Sequence, residues 1–155
     1  PMDAELPGDF LPSVLVQSGR PALVLPYAGP IGPIGRNVLV AWKETRESAR
    51  AVSSALPWLC KADRVDVVAY GEGAAASLQS LQAYLRAQGV GNIRLHPGGD
   101  KDDDVGNKLL SLASDLSSDL LVMGCYGHSR AREWVMGGAT LSMLQWMTLP
   151  VLMSH

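Results

Sequence analysis

Between Gly124 and Thr140 the chain reads Gly-Cys-Tyr-Gly, nine further residues, then Gly-Gly-Ala-Thr. The apolar run Asp119-Leu-Leu-Val-Met123 stands directly before it. A strand that ends in Gly124 can turn sharply, because glycine has no Cβ to obstruct the turn or a ligand. Gly137 and Gly138 then open a short helical pattern marked by Leu141 and Leu144. The first N–H groups of such a helix lack partners within it and carry the positive end of its dipole. That end is a natural seat for an anion. Thr140 adds a hydroxyl in the first turn, and His128 adds a polar donor in the loop. Arg130 and Arg132 bring positive charge within reach of an anion. The segment has the chemistry of a phosphate cradle, with paired glycines serving only as turn residues as the plainer alternative.

Other reactive residues carry less. Cys125 and His128 lie close together, but no third group orients them, so a thiol nucleophile is not expected. Asp102-Asp-Asp104 suits the positive N-terminus of the helix that Val105 begins better than it suits a cation. His96 at a strand end and the terminal His155 suggest no metal centre. Without paired acids, a Ser-His-Asp set or metal ligands near the cradle, an enzyme is not expected.

Composition sets the frame for these residues. A chain of 155 residues, 47% apolar and 18% charged, suits one packed α/β domain. A net charge of −2 with no basic run argues against a nucleic-acid partner. No apolar stretch reaches membrane-spanning length and no signal peptide is expected, which points to the cytoplasm. Cys60 and Cys125 follow no metal or redox spacing and read as two reduced thiols. The chain begins with Pro1 rather than methionine, as expected of a processed product or a fragment.

From Asn37 onwards strands and helices alternate. Asn37-Val-Leu-Val-Ala41 reads as a strand buried on both faces. Thr45 can cap a helix with apolar positions at Ala49, Val52, Leu56 and Leu59, which Pro57 should kink or shorten. Arg64 to Tyr70 is a second strand. Leu78, Leu81 and Leu85 mark a second helix, stopped by Gly89. Gly91 to His96 is a third strand, and Val105, Leu109, Leu112 and Leu116 mark a third helix. The strand to Met123, a fourth helix and a last strand Val151-Leu-Met153 follow. Repeated β-α-β units imply a parallel sheet with right-handed crossovers and helices on both faces. Ligands of such sheets bind beyond the carboxyl ends of the strands, where strand order reverses. Ala41, Trp42 and Lys43, Tyr70, and Met123 with Gly124 are expected around that crevice. Trp134 is expected near it, whereas Trp58 and Trp146 are expected to face the core.

The pattern Gly124-x-x-Gly127, nine residues, then Gly137 and a small residue, closing a five-strand α/β unit, resembles the universal stress protein family. The resemblance covers Asn37 to His155 and includes Val38-Leu-Val-Ala-Trp42 with Arg46-Glu47-Ser48. It implies an α/β fold of flavodoxin-like or Rossmann-like type, with a five-stranded parallel sheet. It also implies an adenine nucleotide, ATP with or without Mg²⁺, and a homodimer formed through the last strand. Carried over by position, phosphates and ribose meet Gly124, Gly127, Gly137, Gly138, Ala139 and Thr140, and Tyr70 lies against adenine. Gly138 stands where the family has Ser or Thr, and Lys43 where its ATP-binding branch has an aspartate. These two departures define the alternative, a nucleotide-free dimerising interaction module whose pocket Lys43 and Trp42 close.

The first 30 residues repeat the end of that unit. Displaced by 129 positions, Gly8 falls on Gly137, Leu15 on Leu144 and Pro21 on Pro150. Phe10 to Ser18 reads as a helix and Ala22-Leu-Val-Leu25 as a strand, in the order that closes the main unit. Residues 1–30 are therefore expected to be the remnant helix and strand of a preceding repeat, and residues 37–155 a universal stress protein domain. A lone strand exposes unpaired backbone groups, so Ala22–Leu25 should pair with Val151–Met153, within the chain or across a dimer.

Overall fold

Runs of valine and leucine without polar alternation become central strands, because each of their faces meets a helix layer. The computed structural model describes residues 10–100, 104–125 and 138–155. In chain order the elements are α1 (Phe10–Gln17), β1 (Ala22–Val24), β2 (Asn37–Ala41), α2 (Arg46–Leu59), β3 (Arg64–Ala69) and α3 (Ala74–Ala87). They continue with β4 (Ile93–Pro97), α4 (Val105–Asp115), β5 (Leu120–Gly124), α5 (Gly138–Trp146) and β6 (Val151–Ser154). The strands form one sheet in the order β1-β6-β5-β2-β3-β4. The expected five parallel strands are present, β6-β5-β2-β3-β4. The sheet has six strands rather than five, because β1 adds to β6 as an antiparallel edge.

Each face of the sheet carries its own core. On one side Val38, Val40, Val65 and Val67 pack with Val52, Ala55 and Leu59 of α2 and Leu78 and Leu85 of α3. On the other, Leu39, Val68, Leu121 and Met153 pack with Leu109 of α4, Met143 of α5 and Leu15 of α1. The chain leaves β2 for β3 on one side and returns from β4 to β5 on the other, so strand order reverses between β2 and β5.

Local chemistry sets the joints. Thr45 caps α2, its hydroxyl accepting from the Ser48 N–H at 3.3 Å. Pro57 lies in the last turn of α2, and the helix ends two residues later at Leu59. The Asp119 carboxylate accepts backbone N–H bonds from Gly35 at 2.8 Å and from Arg36 and Asn37 at 3.1 Å. One carboxylate thereby ties the start of β5 to the start of β2.

Of the two pairings open to the N-terminal strand, the structure contains the one within the chain. Ala22, Leu23 and Val24 lie opposite Met153, Leu152 and Val151. All four residues of β6 are buried between β5 and β1. The edge at Val151–Met153, through which a dimer is expected, is thus paired within the chain by β1. Trp146 is a correction: it is 67% exposed on α5 instead of facing the core.

Candidate ligand crevice

Strand order reverses between β2 and β5, and at the carboxyl ends of these strands Ala41 lies beside Met123. Ala41, Met123 and Tyr70 pack with the core that α4 and α5 cover, and Thr140, buried in the first turn of α5, belongs to that layer. Gly138 and Ala139 precede Thr140 in the same turn. Gly127, His128, Arg130, Arg132, Trp134 and Gly137 lie outside the described residues.

Trp42 is on the other side. Its ring packs against the α2–α3 core and its indole N–H donates to the Ser77 hydroxyl of α3 at 2.9 Å. The structure thus separates Trp42 from Tyr70 by the thickness of the sheet, although both leave strand ends. Lys43, next in the chain, is exposed.

Gly124 has a different reason to be glycine than ligand access. The first turn of α2 packs directly on it, leaving no room for a Cβ. Glu47, in that turn, is buried, and its carboxylate accepts from Arg46 Nε at 2.8 Å. Burial pushes the Glu47 carboxyl up, but bonds from Arg46, its own backbone N–H and Thr45 outweigh it and hold the group below the ordinary value. The positive end of α2 is therefore already satisfied by an acid of this chain.

Cys125 follows directly. Its thiol is buried, and burial with the nearby Glu47 charge pushes its pKa up to about 12. A thiol so held is no nucleophile. Its carbonyl oxygen lies 3.3 Å from Nδ1 of His155, and the His155 carbonyl accepts from Arg50 at 2.9 Å. Asp104 precedes α4, where Asn107 donates to its carboxylate at 2.6 Å. Among the described residues no three His, Cys, Asp or Glu gather as a metal site.

A polar cluster missed by sequence reasoning lies beside this region. Asp66 is fully buried on β3, with Arg64 Nε at 2.6 Å and His96 Nε2 at 2.7 Å. Arg64 also donates to the Leu116 carbonyl at the end of α4. The signal was present, since an acid inside the run Arg64-Val-Asp-Val-Val68 must find partners if that strand is buried. Beyond it a groove of about 530 Å³ runs under α4, lined by Tyr70, His96, Gly98, Asn107 and Lys108. Gly98 lies flat on the Tyr70 ring, where an added Cβ would come within 2.4 Å, and Lys108 Nζ is 6.0 Å from the ring centre.

The architecture is the universal stress protein fold. A universal stress protein from Archaeoglobus fulgidus DSM 4304 superposes with a TM-score of 0.70 at 16% identity, over 88% of this chain and 50% of that one. This chain thus spans half the length of that protein. A universal stress protein in complex with cAMP matches at TM-score 0.64 and 22% identity, over 77% of this chain and 96% of its own. The universal stress protein UspA from Lactobacillus plantarum matches at 0.65 and 12%, over 80% of this chain and all of its own. No protein-family model matches the sequence, and no curated protein does.

Proposed function

We propose that residues 37–155 are a universal stress protein domain that binds an adenine nucleotide at the carboxyl ends of β2 and β5 and acts in stress signalling, with no more than slow hydrolysis of the nucleotide. The observation that carries this reading is the placement of Ala41, Tyr70, Met123 and the first turn of α5 on one face of the sheet, at its switch point. The spacing Gly124-x-x-Gly127 and Gly137-Gly138 supports it, as does the cAMP bound by a protein of the same fold.

In this reading the phosphates of ATP lie towards α5, at Gly127, Gly137, Gly138, Ala139 and Thr140, with His128, Arg130 and Lys43 supplying donors. Glu47 supports the direction, because its carboxylate occupies the end of α2 and repels phosphate there. Adenine lies towards Ala41 and Tyr70. Any Mg²⁺ takes most of its oxygens from phosphate and water, since protein oxygens are few here. A cytoplasmic location belongs to the same proposal; among the described residues no helix is long and apolar enough to cross a membrane.

Native mass spectrometry of the protein as purified, followed by titration with ATP and with cAMP, with and without Mg²⁺, tests the reading. A retained or titratable adenine nucleotide that is lost in Gly127→Leu and Gly137→Leu supports it. A protein that stays empty at millimolar nucleotide overturns it in favour of a nucleotide-free association module.

A further inference from the structure

Side chains of β3 alternate between the two cores, and Asp66 shares the α4 side with Val68 and Tyr70. A carboxylate at such a position is harder to bury than the apolar residue that would fit there. Each of its oxygens has its own neighbour: Oδ2 lies 2.6 Å from Arg64 Nε, and Oδ1 lies 2.7 Å from His96 Nε2. Arg64 already balances the charge of Asp66, so His96 is not required as a counter-ion. The second oxygen orients a ring.

A carboxylate only accepts hydrogen bonds, which places a proton on Nε2 of His96 and leaves Nδ1 as an acceptor. Among the described residues Nδ1 has no hydrogen-bond partner. The His96 side chain is 29% exposed, in the groove under α4. Val68, Leu95, Pro97 and Leu112 give that groove apolar walls, and its volume of about 530 Å³ suits a small molecule. Asp104 and Asp115 outnumber Lys108 along it, which disfavours an anion. Gly98 covers one face of the Tyr70 ring, so recognition rests on the directed nitrogen rather than on stacking.

We propose that this groove is a small-molecule site for an uncharged, largely apolar ligand with one O–H or N–H donor, such as a phenol. His96 Nδ1 accepts that hydrogen, and Asp66 is the positioning residue that sets the tautomer. The site shares only Tyr70 with the residues assigned to the nucleotide and does not depend on that reading.

The test titrates phenol, which donates, and acetophenone, which only accepts, into ¹⁵N-labelled protein while NMR follows the ring nitrogens of His96. The free protein shows the Nε2–H tautomer, phenol shifts Nδ1, and phenol binds about tenfold tighter than acetophenone, the worth of one hydrogen bond. Asp66→Asn reverses the preference. Arg64 can only donate, so it holds the amide oxygen, the amide N–H groups face Nε2, and the proton moves to Nδ1. A purely structural role for Asp66 would instead weaken both probes alike, and that result overturns the proposal. So does a wild-type His96 in the Nδ1–H tautomer, or one that neither probe shifts at millimolar concentration; these two readouts decide alone if Asp66→Asn does not fold. Gly137→Leu leaves phenol binding unchanged, and its loss there would assign phenol to the nucleotide site and overturn the proposal.

Discussion

A Cβ on Gly124 would stand 2.6 Å from the backbone nitrogen of Ser48, so β5 and α2 meet backbone to backbone at the carboxyl end of β5. The obstacle is main chain in a capped helix turn, and a rotamer change cannot relieve it. The same turn carries Glu47, and Cys125 follows Gly124, so one contact sets the spacing of the acid and the thiol.

Gly124→Ala is therefore expected to destabilise the fold by about 2 kcal/mol, as overpacking against a rigid neighbour does. Urea denaturation measures it. An unchanged midpoint would show that the end of β5 has slack.

Glu47 links this contact to pH. Its carboxyl lies below the ordinary value of 4.5 in the fold, so between the folded and unfolded values the native state binds fewer protons than the unfolded chain. Its contribution is present above pH 4.5 and is lost as pH falls through the folded value. Glu47→Gln should flatten the acid limb of the stability curve, while wild type loses stability there. Parallel curves for the two proteins would remove Glu47 from the account.

The two thiols should separate cleanly. Cys60 is exposed and Cys125 buried, with a pKa of about 12 against an ordinary 9.0. At pH 8 a disulfide reagent should label one thiol per folded chain, and none in Cys60→Ser. Because the folded Cys125 keeps its proton where the unfolded chain loses it, its contribution to stability falls as pH rises above 9.0. Rapid labelling of Cys60→Ser without denaturant would contradict this placement.

Removing Asp66 leaves Arg64 without its buried partner, and Asp66→Ala should cost about 3 kcal/mol. Asp119→Ala releases the N–H groups of Gly35, Arg36 and Asn37 and should cost about 2 kcal/mol. Thermal unfolding of each variant checks the values. Replacing Arg64 and Asp66 together by leucine should recover part of the loss, whereas an additive loss would show that the pair does not act as a unit.

Much of this fold is legible in local patterns. The strand Asn37–Ala41 is found with its expected ends, and Thr45 caps the helix that follows. These features depend on side-chain periodicity, glycine and proline stereochemistry and capping hydroxyls, all of which act over a few residues. The glycine spacing also marked the end of β5 as the place to look for a ligand.

Relations across the sheet depended on register and crossover, which no short window contains. Trp42 and Tyr70 both leave strand ends, yet the direction of the next turn sends one to α3 and the other to α4. Asp66 could be seen as an acid in an apolar run, but its partner His96 comes from a strand 30 residues away. Gly124 was recognisable as a glycine that mattered, and only the approach of α2 showed that its missing side chain makes room for Ser48. Periodicity is local, so elements such as Asn37–Ala41 and the helix after Thr45 can be read from a short window. The tertiary structure decided which faces meet, because burial and pairing are settled between residues far apart in the chain.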